Sequence, residues 1–176
     1  MLRFNSDHKF KIMQIADTQE IPAVSPDTLS LINNALDREK PDLVIFTGDQ
    51  IKGYSKKFKK DPAIIESTID ILVEPIAKRN IPFMVTYGNH DAQCGVDNRG
   101  QYKFYAKYDN FISGDLRNAD DVGTADIQIY SSTEDKPVFE LYIIDSHGKA
   151  KDGAGYAPVD KKQIEWYVSR REQLKA

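Results

Sequence analysis

Histidine and cysteine are scarce in this chain, with three His and one Cys among 176 residues. The single cysteine, Cys94, excludes an internal disulfide framework and fits a reducing compartment, so a cytoplasmic setting is expected. No apolar run approaches the roughly 20 residues of a membrane-spanning helix. The opening MLRFNSDHKFK mixes charges with single apolar residues and lacks a signal-peptide core. Excess positive charge is missing too. The formal net charge of -3 speaks against nucleic acid as a partner, without forbidding a local basic patch. There are no internal repeats and no low-complexity tracts. What is present, 40% hydrophobic and 29% charged residues, is ordinary for a soluble globular protein, and the length suits one domain or a large part of a bigger one.

Apolar runs and helix signals alternate along the first half. FKIMQIAD (10–17) reads as a buried strand ending in a carboxylate. SPDTLSLINNALDREK (25–40) opens with Ser25 as N-cap and Pro26 at the first helical position, with Leu29, Ile32 and Leu36 at helical spacing. DLVIFTGD (42–49) is a second strand. After a polar stretch, Asp61-Pro62 starts a helix carrying Ile65, Ile69, Leu72 and Ile76, which Pro75 should kink or end early. IPFMVTYGNHD (81–91) is a third strand. This alternation predicts βαβ units with a parallel sheet. Further on, QYKFYAKYDNFI (101–112) reads as a short aromatic helix, and DIQIYSS and VFELYIIDS as an antiparallel pair. PVDKKQIEWYVSRREQLKA (158–176) reads as a helix capped by Asp160 with Ile164 and Val168 inward.

The strand ends carry the chemistry. The first ends in Asp17, the second in Gly48-Asp49, the third in Gly88-Asn89-His90-Asp91, and a later one in Asp145. Ligands of open α/β sheets bind beyond the carboxyl ends of the strands, and the predicted directions put the first three ends on one rim. Carboxylates with scattered imidazoles suit Mn, Fe or Zn, while oxygen-only sets suit Mg. A carboxylate can bridge two cations that clamp a phosphoryl ester, and His90 beside them could protonate the departing alkoxide.

These residues resemble the calcineurin-like metallophosphoesterases, whose pattern is D-x-H, then G-D, then G-N-H-[DE], each after a strand, with an isolated His and a G-H-x-H much later. Asp17-Thr18-Gln19, Gly48-Asp49 and Gly88-Asn89-His90-Asp91 follow that order, and IIDSHG and YAPVDKKQIEWY look like the stretch that precedes the family's C-terminal histidines, especially in proteins similar to purple acid phosphatases and Dcr2-type phosphatases. The resemblance implies an α/β fold, part of a four-layer αββα sandwich with mixed β-sheets, spanning residues 1–176 as one domain. It implies a binuclear divalent metal site, a small phosphate-ester substrate and hydrolysis by metal-activated water. By carry-over, Asp17 binds the first metal, Asp49 bridges, Asn89 binds the second, and His90 assists the chemistry. Asp91 holds the motif's backbone or orients His90. Asp145 is open between a place behind the metal ligands and a plain turn cap.

Two departures stand out. Gln19 replaces the family's metal-binding His, leaving a neutral carbonyl as a weaker candidate ligand. The C-terminal histidines are absent, since the chain has only His8, His90 and His147. Catalytic metal sites keep about three protein ligands, so weak metal binding is expected of this chain by itself. Its sequence is read as the N-terminal portion of the domain, with sheet surface left uncovered for self-association. The alternative is a non-catalytic phosphoesterase-like module that has lost its metals and binds a ligand or partner. Elsewhere, KKFKK (56–60) reads as a solvated loop that could attract phosphate, Tyr54 as a loop residue, the aromatics at 102–111 as core or lid, and Cys94 as incidental.

Overall fold

LVIFT at 43–47 has almost no polar face to offer solvent, and both sides of this strand are covered. The computed structural model describes residues 1–113, 121–150, 152–153 and 155–175. Its strands in chain order are β1 (Leu2–Arg3), β2 (Ile12–Ile15), β3 (Leu43–Thr47), β4 (Phe83–Thr86), β5 (Ala125–Tyr130) and β6 (Pro137–Ile143). β2, β3 and β4 form a parallel sheet in that order; β1, β5 and β6 form a second sheet, parallel between β1 and β5 and antiparallel between β5 and β6.

Side chains alternate across β3, so the strand serves two cores. Val44 and Phe46 join the helical layer's core, whereas Leu43 and Ile45, with Met84 from β4, face Leu2, Ala125, Ile129 and Ile143 of the second sheet. The helical layer consists of α1 (Pro26–Glu39), α2 (Pro62–Ala77) and α3 (Asn98–Ala106), started by the caps Ser25, Asp61 and Asp97. α4 (Lys161–Lys175) covers the far face of the second sheet, where Trp166 and Tyr167 pack edge-on against Tyr142. Asp160 and Gln163 exchange hydrogen bonds of 2.9 Å at its start, a reciprocal cap. The layers therefore run helices, sheet, sheet, helix, as the αββα expectation requires.

Several expectations need correction. The strand at 10–17 is not buried: β2 alternates between exposed and half-buried, with Ile12 38% exposed. Among the described residues no β2 side chain joins the hydrophobic cluster that β3 and β4 share with the second sheet, and Ile12 and Gln14 are exposed. α2 runs through Pro75 to Ala77, because a proline so near the end disturbs only its last turn. The aromatic helix begins earlier, at Asn98, and ends at Ala106. In α4 the expected inward residues point outward, with Ile164 52% and Val168 51% exposed. The inner face instead carries Gln163, Trp166, Tyr167 and Arg170, whose partners on the sheet are largely polar. β1 gives no sequence signal of its own at two residues; its pairing with β5 makes it a strand.

Candidate active site at the parallel strand ends

Beyond their last paired residues the three parallel strands remain tied together. The Asp17 N–H donates to the Gly48 carbonyl at 3.0 Å, and the Gln19 N–H to the Asp49 carbonyl at 2.9 Å. The His90 N–H donates to Asp49 Oδ1 at 2.9 Å. Residues 17, 19, 49 and 90, which are far apart in sequence, thus lie on one rim. Gly48 (φ 109°) makes this possible: a Cβ there would meet the backbone N of Gly88 at 2.6 Å. Asp17, Gln19 and Asp49 also hold left-handed backbone, with φ of 53°, 41° and 54°. Non-glycine residues in that region cost roughly 1–2 kcal/mol each, and such strain collects at functional sites.

Asp91 is 1% exposed and acts inward. Its Oδ2 accepts the N–H groups of Asp49 and Gly88, both at 2.8 Å, and its Oδ1 that of Ile51 at 3.2 Å. Burial pushes the carboxyl up to about 6, although those three N–H groups pull it down. Gln101, fully buried, closes the other side of the turn by donating to the Asp91 carbonyl at 2.8 Å and the Val96 carbonyl at 2.9 Å. No periodicity argument marks Gln101.

The His90 side chain lies half-buried between two neighbours. Nδ1 is 3.1 Å from Gln93 Oε1, and the ring stands edge-on to Tyr54 with centroids 4.8 Å apart. A carbonyl oxygen only accepts, so with this Gln93 orientation Nδ1 carries the proton and Nε2 is the nitrogen free to exchange one. Tyr54 is the residue that sequence reasoning set aside as a loop position. Cys94 is buried, and burial raises its thiol, which removes it as a nucleophile.

Asp145 sits deeper. Its Oδ1 accepts the His147 N–H at 2.7 Å, its Oδ2 accepts from Asn98 Nδ2 at 3.1 Å, and its carbonyl accepts from Gln163 Nε2 at 2.6 Å. Burial raises its carboxyl as well. The turn it organises reaches the rim, since a Cβ on Gly148 would lie 3.9 Å from Asn89 Cα. His147 does not turn into the rim; its Nε2 is 3.6 Å from Asp160 Oδ2 at the start of α4.

Among the described residues no group of three or more His, Cys, Asp or Glu side chains is arranged to hold a metal ion. The donors on the rim are the carboxylates of Asp17 and Asp49 and the amide carbonyls of Gln19 and Asn89. Their chemistry suits a hard divalent cation. Four such side chains, even with Asp49 shared, fall short of about three protein ligands for each of two metals.

The calcineurin-like phosphoesterase family matches residues 10–174. The chain belongs to that family. Among curated relatives it is 28% identical to the probable inactive purple acid phosphatase 14 of Arabidopsis thaliana, over 94% of this chain and 47% of that protein. It is 33% identical to the phosphatase DCR2 of Saccharomyces cerevisiae, over 94% of this chain and 32% of that protein. It is 26% identical to the probable inactive purple acid phosphatase 29 of Arabidopsis thaliana, over 99% and 50%. The chain therefore spans about a third to a half of the length of these relatives. Among the described residues no helix is long and apolar enough to cross a membrane.

Proposed function

We infer that the whole protein hydrolyses a phosphate ester at the rim formed by Asp17, Asp49, Asn89 and His90. One observation carries the reading: the bond from the His90 backbone N–H to Asp49 Oδ1, which ties the residue bearing the motif's one imidazole to the carboxylate most central to the rim. Asp17, Asp49 and Asn89, with Gln19 as a weaker neutral donor, would hold divalent metal of the Mn, Fe or Zn type. Bound there, it would supply positive charge to polarise a phosphoryl oxygen and activate water.

The remaining work belongs to the chain. Water oxygen bonds to phosphorus and gives up a proton to solvent, the P–O ester bond breaks, and the leaving alkoxide takes a proton from Nε2 of a doubly protonated His90 ring, releasing an alcohol and inorganic phosphate; the imidazole, left with its Nδ1 proton, then regains one at Nε2 from water. In this reading Gln93, at Nδ1, and Tyr54, against the ring, hold the imidazole and leave Nε2 to serve the ester. A reducing, cytoplasmic setting goes with the same reading, because Cys94 is the sole cysteine and is buried.

The test is turnover of glycerol 2-phosphate, an ester whose alkoxide needs a proton to leave, by the full-length protein with manganese. General acid catalysis is worth roughly a hundredfold or more, so His90→Ala should lower kcat by that factor. Unchanged kcat would remove His90 from the mechanism. A second reading has its own support: Gln19 in place of a charged or imidazole ligand, the lack of a three-residue metal group among the described residues, and relatives whose names call them inactive. A full-length protein that binds inorganic phosphate but turns over no aryl phosphate with any divalent metal would favour that binding module.

A further inference from the structure

KKFKK at 56–60 has the composition of a solvated loop, yet it is fixed in place beside His90. Phe58 at its centre is 1% exposed and sits in the helical core. Ser55 caps a short 3-10 turn over Lys56–Phe58, and the Asp61 N–H closes it on the Phe58 carbonyl at 2.9 Å. Lys59 and Lys60 then take consecutive left-handed conformations, φ 52° and 56°. That reversal is unusual for two lysines. It brings Lys56, Lys59 and Lys60 around one hollow of about 360 Å³, with Tyr54, Ser55 and Gln93 on its wall.

The hollow is joined to the catalytic motif. Gly53 lies so close to the 90–94 turn that a Cβ would collide with the His90 carbonyl oxygen and approach Cys94 N at 2.9 Å. The stem of Lys60 lies over Gly95 at the end of the same turn. Tyr54 and Gln93, which line the hollow, are the two neighbours of the His90 ring. Lys52 adds its charge 5.2 Å from the Tyr54 ring centre. Among the described residues none of Lys52, Lys56, Lys57, Lys59 and Lys60 forms an ion pair with an acidic side chain. A chain of net charge -3 has thus gathered unneutralised cations in one cavity adjoining the reacting centre.

We propose that this lysine-lined hollow binds a second phosphate of the substrate, so that the enzyme acts on small organic bisphosphates. The assignment rests on the phosphoesterase reading above. Its size falls in the range of small-molecule pockets. Lys56, Lys59 and Lys60 line a single hollow of small-molecule size, which favours a compact anion over an extended acidic peptide. Lys56 and Lys59 bind the distal phosphate as mobile ammonium donors. The Tyr54 ring separates the two phosphate positions and gives the carbon skeleton an apolar edge.

The experiment compares kcat/KM for glucose 1,6-bisphosphate and for 4-nitrophenyl phosphate, using the full-length manganese-loaded protein. The wild type should prefer the bisphosphate. Lys56→Gln combined with Lys59→Asn, the asparagine chosen because it tolerates positive φ, should lower the ratio tenfold or more. Lys9→Gln, remote from the site, should leave the ratio in place. Calorimetric binding of glucose 1,6-bisphosphate runs alongside, and the double variant should weaken it by a similar factor. Binding that depends on the lysines without turnover of either ester would sink the phosphoesterase reading and keep the subsite. An unchanged ratio and unchanged binding in a folded double variant would overturn the subsite. So would an acidic phosphopeptide that outcompetes the bisphosphate by means of these same lysines.

Discussion

The Asp91 carboxylate accepts the backbone N–H of Asp49 at 2.8 Å, so two residues 42 positions apart share one fixed position at the strand ends. The same carboxylate takes the N–H groups of Gly88 and Ile51, which makes it the internal brace of the rim. Removing it leaves three backbone donors with no acceptor in a buried place. Each unsatisfied group costs roughly 1–3 kcal/mol.

Asp91→Ala is accordingly expected to destabilise the protein by about 3 kcal/mol. Urea unfolding followed by circular dichroism measures this. A shift within about 0.5 kcal/mol would show that water or relaxation replaces the carboxylate at no cost.

Gly53→Ala places a methyl group against the His90 carbonyl and the Cys94 N–H. The loop must withdraw, at about 1–3 kcal/mol, and Tyr54 moves off the imidazole. A lower melting temperature and a changed near-ultraviolet tyrosine signal should appear together. Wild-type values for both would mean the close approach is not maintained in solution.

On the far side of the fold, Arg170 Nε is 2.7 Å from Asp126 Oδ2, and Arg170 Nη2 is 3.6 Å from Glu140 Oε1. Among the described residues Asp126 Oδ1 and Glu140 Oε1 have no hydrogen-bond partner, so the two carboxyls depend on the same guanidinium. Burial, then the Asp126 carboxyl, push Glu140 up to about 7, against the pull of Arg170; its side chain is 14% exposed. A carboxyl raised on folding binds more protons in the native state than in the unfolded one. The stability it contributes is complete below about 4.5 and is lost as pH rises through about 7. Melting temperature should therefore fall between those values, and Glu140→Gln should flatten the fall. A slope that persists in Glu140→Gln would assign it to another group.

Arg170→Ala leaves Asp126 buried without its cation. Breaking such a pair costs about 3–5 kcal/mol, and here it also frees α4 from the sheet. A calorimetric melt should show the loss at pH 7.5 and a smaller one at pH 5, where Glu140, raised to about 7, is protonated and no longer repels Asp126. Equal losses at both values would make the contribution of Arg170 one of packing.

Much of this arrangement is readable from residue order. LVIFT and FMVT are continuous apolar runs because both faces of β3 and β4 are covered, and the carboxylates after them follow from parallel strands. Three features escape such reading. FKIMQIAD is as apolar as its neighbours, but which strand lies beneath the second sheet is a matter of tertiary placement. The polar inner face of α4 defeats periodicity, since the buried Gln163 and the half-buried Arg170 are turned inward by their partners Asp145 and Asp126, which lie elsewhere in the chain. The basic hollow is invisible in KKFKK, because only the backbone reversal at Lys59 and Lys60 and the burial of Phe58 turn a charged string into a cavity wall.

Manganese binding to the full-length protein, measured by calorimetry in wild type and in Asp49→Asn, tests the shared rim most directly. The substitution keeps the side chain's shape and the acceptor for the His90 N–H while removing the central charge. The account predicts at least tenfold weaker binding in a variant that melts like the wild type. Equal manganese affinity in the two proteins would contradict it.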